Sequence, residues 1–362
     1  MAAGDDRMKP VISKTHLLIA IALCVLFVAS ATLAQQTPTP PPRPTREKTK
    51  IKTKLPKLPQ PGDMPPGVEM GDGTTTERSI AVDQKVSLVL CVTQGNVRVN
   101  GWKRNEVRAF VSDGSKFGFR VLEKSMKGDS PVLVSLVGLR EMPRGGVTTS
   151  ECIAGDDIEL DVPENAAVTF KGRQADISVD TVRKVLVNNV GGDITVRNVS
   201  QGVRATTFQG DVTVENSEGG MVLESSSGNI VAYAVEPAEV GDAFKAKTNS
   251  GAVSLDKLGY RLADVNSISG TVLYSGKLLS GGSFSFSTTN GSIKLLLPQD
   301  SSCRITATYG YGDFDSQFQM KTLTEDNHPG SVKTVNGVIG GGDAYLRLTT
   351  NSGSIEIRKL QP

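Results

Sequence analysis

A short two-strand unit recurs along this chain from position 185 to the C-terminus, at a period of about twenty residues. Each unit reads apolar-x-apolar-x-Ser/Thr-x-x-Gly-polar-Ile/Val-x-apolar, as in the segment from Val203 to Val214. A repeat of this length predicts units that stack on one another and share one continuous core. The central glycines of the units are Gly192, Gly210, Gly228, Gly251, Gly270, Gly291, Gly312 and Gly353.

Apolar residues occupy three fixed positions around every one of these glycines, seven and five residues before it and two residues after it. Alternate side chains of a strand face the same side, so this pattern assigns all three positions to a buried face. A degenerate copy follows at residues 336–339. The apolar positions are Val185, Val187, Ile194, Val203, Ala205, Val212, Met221, Leu223, Ile230, Phe244, Ala246, Val253, Ala263, Val265, Val272, Phe284, Phe286, Ile293, Ile305, Ala307, Phe314, Leu346, Leu348 and Ile355.

Each unit has a glycine and a polar residue at its corner. Glycine adopts backbone angles that other residues avoid. The polar residue that follows it, such as Asp193, Asp211, Asn229 or Ser292, can bond to the backbone of its own turn. We therefore predict an all-β fold, a single-stranded β-solenoid-like stack of two-strand rungs. We place the domain at residues 79–360, with an irregular β cap at 79–170 and the regular repeats at 171–360.

The N-terminus has the pattern of an export signal. Basic residues precede an apolar run from Leu17 to Ala34, which ends in small residues suited to cleavage after Ala34. The alternative is an uncleaved membrane anchor, because the run is near the minimum length of a transmembrane helix. Both alternatives export the rest of the chain, to the periplasm or the cell surface. The anchored form would remain in the inner membrane.

Residues 35–73 are rich in proline and basic side chains, which predicts a disordered, extended linker. The linker is interpreted as a spacer, or alternatively as a tether to an anionic membrane or wall polymer. It also accounts for the small formal net charge of the chain, +2. The remaining domain has no basic excess, so we expect no nucleic-acid partner.

Three cysteines follow the signal-like segment, and an oxidising compartment permits one disulfide among them. Cys91 and Cys152 both precede the regular repeats, so we pair these two. Cys303 shares strand parity with Ile305 and Ala307, which favours a buried thiol that behaves as a small hydrophobic residue.

The sequence offers little for catalysis, metal binding or a cofactor, and we predict none. The only histidine after the signal-like segment, His328, lies in a polar loop, and no Gly-x-Ser-x-Gly elbow is present. The ligand spacing of a zinc site is also missing. A calcium site along the polar residues that follow the corner glycines is the alternative to turn capping there, but this series loses charge at Ala252.

A few residues interrupt the repeat and are candidate ligand contacts. Asp313 and Asp315 lie near Tyr309 and Tyr311, and are the best carboxylate pair for a glycan-cleaving enzyme. The position of Asp313 next to its glycine favours turn capping instead. Trp102, the only tryptophan, is interpreted as a plug over the open end of the stack or as a platform for a sugar ring.

Several motifs together resemble a known family. They are the segment Gly95–Trp102 followed by Glu106–Arg108, the serial Gly-Asp-Ile/Val-x-Val units and the closing segment Asn351–Ile357. They are similar to a bacterial exported β-strand-repeat family of "putative adhesins", a domain of unknown function, and to the related head domain of auto-transporter adhesins. This resemblance implies a β-solenoid with a less regular N-terminal part.

The same resemblance implies a non-catalytic, exported structural or adhesive protein. Its expected partner is a cell-envelope polysaccharide or another surface protein. The alternative is a polysaccharide-binding or polysaccharide-cleaving protein on the same scaffold.

Overall fold

The computed structural model describes residues 65–74, 76–126, 128–143, 145–326 and 332–361. Their regular secondary structure consists of β-strands, as predicted, and they belong to one compact unit, Leu58–Pro362. Within these ranges we find no helix that could span a membrane. The predicted signal or anchor, the linker up to residue 64, and His328 lie outside the described residues.

The stack begins earlier than the sequence predicts. The two long strands β4 (Ser87–Trp102) and β10 (Ala167–Asp180) each form a complete rung and pair in parallel, from Ser87 with Ala167 to Asn100 with Asp180. The regular stack therefore starts within the predicted cap, at residue 87. The first ten strands are β1 (Val68–Glu69), β2 (Asp72–Gly73), β3 (Glu77–Ala81), β4 (Ser87–Trp102), β5 (Glu106–Ser112), β6 (Phe117–Lys124), β7 (Pro131–Glu141), β8 (Val147–Ser150), β9 (Asp157–Pro163) and β10 (Ala167–Asp180).

An irregular cap does lie on the outer side of β4. Strands β7 and β9 pair with β4 in parallel, and antiparallel strands β6 and β5 extend them. Strand β1 then pairs with β6, and β3 with β5. The last residues of the predicted linker are thus part of the cap, because Val68 is buried against Val137 and Leu139.

In the repeats, every strand pairs in parallel with the next strand but one, which gives two ladders. The first ladder continues from β10 through the odd-numbered strands, and the second through the even-numbered ones. The strands are β11 (Lys184–Gly191), β12 (Ile194–Arg197), β13 (Val203–Gln209), β14 (Val212–Glu218), β15 (Met221–Ser227), β16 (Ile230–Glu236), β17 (Phe244–Ser250), β18 (Val253–Leu258), β19 (Leu262–Ser269), β20 (Val272–Ser275), β21 (Ser283–Asn290) and β22 (Ile293–Leu297).

The C-terminal strands do not follow chain order. Strand β27 (Ala344–Ser352) lies between β21 and β23 (Cys303–Tyr311), and β28 (Ile355–Lys359) lies between β22 and β24 (Phe314–Ser316). The last rung of the sequence is therefore inserted between two earlier rungs. The strands concerned are β23 (Cys303–Tyr311), β24 (Phe314–Ser316), β25 (Lys321–Asp326), β26 (Lys333–Ile339), β27 (Ala344–Ser352) and β28 (Ile355–Lys359).

Residues 336–339, predicted to be a degenerate unit, are not a rung. They belong to β26, which pairs antiparallel with β23 and with β25. Gly337 lies in mid-strand, where an added Cβ would meet the side chain of Met320. This glycine is therefore required for packing and not for a corner.

The apolar positions predicted from the repeat form one continuous core. All of them are buried except Phe314, which is partly buried. Phe314 lies on β24, which pairs with β28 only, so it lacks a neighbouring rung on its other side.

Candidate functional site: the corner of the stack

The corner glycines of successive rungs lie directly on one another. A Cβ added to Gly210 would collide with the carbonyl oxygen of Gly192, and one added to Gly228 would collide with that of Gly210. Gly210 also has a φ of 134°, in the region that favours glycine. The corner therefore presents bare backbone, and the residues on either side form its walls.

Three residues before six of the eight corner glycines, the hydroxyl of a serine or threonine points into the stack; we call these residues the inner hydroxyl row. Ser225 Oγ donates to the Gly210 carbonyl oxygen, and Thr248 Oγ1 to that of Gly228, both at 2.9 Å. These bonds satisfy carbonyls that the corner leaves without a strand partner. The row comprises Thr207, Ser225, Thr248, Ser267, Thr288 and Thr350, all buried.

One residue after the corner, acidic and amide side chains accept hydrogen bonds from the backbone of the next rung. We call these residues, Asp176, Asp193, Asp211 and Asn229, the outer carboxylate row. The backbone amide of Asp211 donates to Asp193 Oδ1 at 2.8 Å, and that of Asn229 to Asp211 Oδ1 at 2.7 Å. We predicted bonds to the backbone of the same turn, and the structure corrects this. A rung spacing of about 4.8 Å lets a short side chain reach the next rung.

A calcium site in the outer carboxylate row would need several side-chain ligands close together. In the part of the chain that the structure describes, no group of His, Cys, Asp and Glu side chains is arranged to hold a metal ion. The Asp211 carboxylate also accepts bonds from the Asn229 side chain, at 3.3 and 3.4 Å. Its oxygens therefore have backbone and amide donors as partners.

One residue before the corner, a third set of polar side chains faces solvent; we call it the corner polar row. Its members are adjacent along the first ladder, for example Gln209 with Ser227 and Ser250 with Ser269. Among the described residues we find no hydrogen bond from any of these side chains. The row consists of Gln94, Gln174, Gln209, Ser227, Ser250, Ser269, Asn290 and Ser352, and is interrupted by Gly191.

Sequence reasoning missed the corner polar row, although its signal was present. An amide or hydroxyl residue precedes nearly every corner glycine. At the N-terminal rungs the row borders a groove of about 420 Å³, lined by Gln174, Gln209, Asn96 and the corner backbone. At the other end it reaches Tyr311, which is 79% exposed and pairs with Ser352. From Gln209 onward it is a continuous set of polar side chains for which the described residues show no hydrogen bond.

The predicted tyrosine and aspartate contacts lie on different surfaces. Tyr309 is buried, and its ring stacks on Phe314 with 6.5 Å between the centroids, whereas Tyr311 is exposed. The backbone amide of Asp313 donates to Ser354 Oγ at 3.3 Å. Asp315 forms an ion pair with Arg358 at 2.6 Å. Among the described residues of this set, the Tyr311 ring and the exposed Asp313 carboxylate are left available for a ligand.

Trp102 is the last residue of β4, directly before the turn to β5. Its Nε1 donates to the Glu106 carbonyl oxygen at 2.8 Å, which closes the turn. The guanidinium groups of Arg104 and Arg108 lie 4.9 and 5.4 Å from the ring centroid. Because β9 and β5 lie further out than β4, this position is not the open end of the stack.

Cys91 and Cys152 form a disulfide, which connects β4 to the segment after β8. Cys303 is a buried free thiol at the start of β23. Burial raises the pKa of the Cys303 thiol from 9.0 to about 12. This thiol stays protonated at neutral pH, as the core position requires.

Residues 87–358 match the family model described as Toastrack DUF4097. The chain belongs to the Toastrack family. The match begins at the first residue of β4 and ends in β28, so it covers the stack from its first complete rung. No curated protein matches this Toastrack chain.

Two solved structures are similar to this Toastrack protein. One is a "putative cell adhesion protein" from Clostridium sporogenes, with 10% identity, a TM-score of 0.23, and coverage of 78% of this chain and 98% of the other. The second is a "putative lipid binding protein" from Parabacteroides distasonis, with 10% identity, a TM-score of 0.25, and coverage of 81% and 99%.

Proposed function

We propose that this Toastrack protein is an exported, non-catalytic structural and adhesive protein, and that its corner polar row holds an extended polysaccharide of the cell envelope. The row of exposed side chains from Gln94 to Asn290, continued by the half-buried Ser352, is the observation that carries this proposal, because the described residues show no hydrogen bond from any of them. Amides and hydroxyls both donate and accept hydrogen bonds, which matches the hydroxyl groups of a sugar polymer.

The spacing of the row favours a polymer over a small molecule. Neighbouring side chains repeat at the rung spacing of about 4.8 Å, so an extended chain would meet a new donor or acceptor at each rung. Each exposed contact contributes little by itself, and several contacts in series raise the affinity. Tyr311, at the C-terminal end of the row, supplies an aromatic face for a sugar ring.

Export is supported by the Cys91–Cys152 disulfide. Disulfides persist in oxidising compartments and are rare in the cytosol. The signal-like pattern that ends at Ala34 points the same way.

The proposed role is non-catalytic because most carboxylates at the corner have structural partners, which leaves Asp313 without the second free carboxylate that glycan cleavage needs. The outer carboxylate row accepts backbone amides, and Asp315 is paired with Arg358. We expect no release of reducing sugar from a bound polysaccharide over hours of incubation. Turnover that Asp313→Ala or Asp315→Ala abolishes would overturn this part of the proposal.

Binding can be tested with the full-length chain on a panel of neutral polysaccharides and on insoluble cell-wall glycan. We expect Gln174→Ala/Gln209→Ala to weaken binding roughly tenfold, because each lost hydrogen bond contributes about 0.5–1.5 kcal/mol. The matched control is Asn188→Ala/Asn249→Ala, which removes two exposed amides from the first ladder outside the row. Equal loss in both variants, or no loss in either, would exclude the corner polar row as the binding surface.

A further inference from the structure

The outer side of the first ladder carries an unbalanced positive charge between β10 and β17. In the part of these strands that belongs to the first ladder, which for β10 is residues 167–174, Glu224 is the one acid that points outward. Among the described residues, no ion-pair partner is found for any of the cations. We call this surface the cationic face; its basic residues are Lys171, Arg173, Lys184, Arg204, Lys245 and Lys247, all exposed.

The cationic face is concave and partly apolar. A groove of about 520 Å³ crosses it, lined by Gly202, Gly220 and Val222 and by one acid, Asp242, whose carboxylate accepts two backbone amides. Leu186, which is 40% exposed, also lines the groove. Positive charges around an apolar floor are typical of a surface that binds a partner of opposite charge.

The outer side of the second ladder carries the opposite charge at the same end of the stack. Arg98 and Arg197 lie on it, each paired with a glutamate, and Arg108 of the neighbouring strand β5 is paired with Asp161, which still leaves an excess of acids. A groove of about 280 Å³ lies within this surface, lined by Asp157, Glu159 and Asp176. We call it the acidic face; its acids are Asp157, Glu159, Asp161, Asp176, Asp180, Asp193, Asp211 and Glu215.

We propose that the two faces bind one another between copies of this chain, so that the cationic face of one copy packs side by side on the acidic face of a second copy. Both faces belong to the same stack, so their charges repeat at the same spacing of about 4.8 Å and can align over several rungs. The contact joins two different surfaces, so each added copy exposes a fresh face. Such a contact builds an open array and not a closed dimer.

The size of the faces sets the strength of the contact. Five strands at about 4.8 Å and a strand length of about 20 Å give about 500 Å² on each partner. The total of about 1,000 Å² lies at the lower limit of specific interfaces. The association is therefore weak, concentration-dependent and sensitive to salt.

A second copy explains both faces together, whereas an anionic polymer would explain only the cationic one. The formal net charge of the whole chain is only +2, although each face is strongly charged. Charges segregated to two faces of a nearly neutral chain favour contact between copies over general attraction to polyanions.

Sedimentation velocity of the full-length chain, at low and at high salt, tests the proposal. We expect the wild type to self-associate at low salt and to dissociate at high salt. Lys184→Glu/Lys245→Glu should remain monomeric in both. The matched control is Arg304→Glu/Arg347→Glu, which makes the same change of net charge on exposed residues at the far end of the first ladder, and it should behave as the wild type does.

A mixing experiment identifies the two faces as partners. Glu159→Lys/Glu215→Lys should also be monomeric alone, and mixing it with Lys184→Glu/Lys245→Glu should restore association. Circular dichroism checks the fold of each variant, and Lys184→Gln/Lys245→Gln replaces the reversal if that variant fails to fold. A wild type that is monomeric at low salt, or a reversal variant that associates as the wild type does, would overturn the proposal. Binding of dextran sulfate without self-association would assign the cationic face to an anionic polymer instead.

Discussion

A polar side chain in this stack acts according to its distance from the corner glycine. Three residues before the glycine, a hydroxyl is buried and donates to a carbonyl of the neighbouring rung, as Thr248 does. One residue after it, a carboxylate accepts a backbone amide, as Asp211 does. One residue before it, the side chain faces solvent, as Gln209 and Ser250 do. A serine or threonine three residues before the glycine is thus structural, whereas one directly before the glycine is available for binding.

The inner hydroxyl row gives a prediction at the level of one residue. Thr248→Val keeps the shape of the side chain but leaves the Gly228 carbonyl oxygen buried without its donor. We expect a loss of about 1–3 kcal/mol in the free energy of unfolding, measured by urea denaturation. Thr206→Val is the control, since Thr206 is on the outer side of the same ladder, and it should change stability little. Equal effects of the two substitutions would show that Thr248 matters only for its β-propensity.

At the level of the strands, the sequence predicted the repeat well where glycine marks the corner. The apolar positions and corner glycines from Val185 to Ile293 correspond to the observed rungs. The rung of β4 has the same signal around Gly95, with buried Leu88, Leu90 and Val97 at the three apolar positions, but the cap strands separate it from the repeats. The rung of β10 could not be found in this way. In β10 the corner is Ala175, which pairs with Gly95 of β4, so the glycine signal is lost.

The polar rows were only partly predictable. The sequence indicated polar chemistry after the corner glycine. It did not indicate that the partner of Asp193 is the amide of Asp211, one rung away. A residue pattern fixes the face of a strand, but the neighbouring strand is set by tertiary stacking. The corner polar row was overlooked for a similar reason, because its continuity depends on which rungs are neighbours.

The outer carboxylate row gives a prediction at this level. Asp211→Ala removes the acceptor of the Asn229 amide, whereas Asp211→Asn keeps an oxygen in its place. We expect the Asn229 amide to exchange its hydrogen roughly tenfold faster in the alanine variant, equivalent to about 1.4 kcal/mol, and at nearly the wild-type rate in the asparagine variant. Hydrogen exchange followed by NMR measures this. Slower exchange of this amide in wild type on addition of millimolar calcium would instead favour a cation site.

At the level of the whole domain, the order of the rungs is the feature that sequence reasoning could not supply. The rung of Gly353 shows the same three apolar positions as any other, so it fits equally well at the end of the stack or between two rungs. The structure places it between the rungs of Gly291 and Gly312. The C-terminal segment thus completes the core from within, and the corner polar row passes from Asn290 through Ser352 to Tyr311.

Disulfide trapping of the corner polar row tests the continuous stack most directly. In Asn290→Cys/Ser352→Cys the two cysteines lie on neighbouring strands, within the reach of a disulfide. In Asn290→Cys/Tyr311→Cys they are two rungs apart, about 9.6 Å, which is too far. Under mild oxidation of the full-length chain we predict a crosslink in the first variant and free thiols in the second, by mass spectrometry. A crosslink in the second variant and none in the first would contradict the inserted rung and the continuous row.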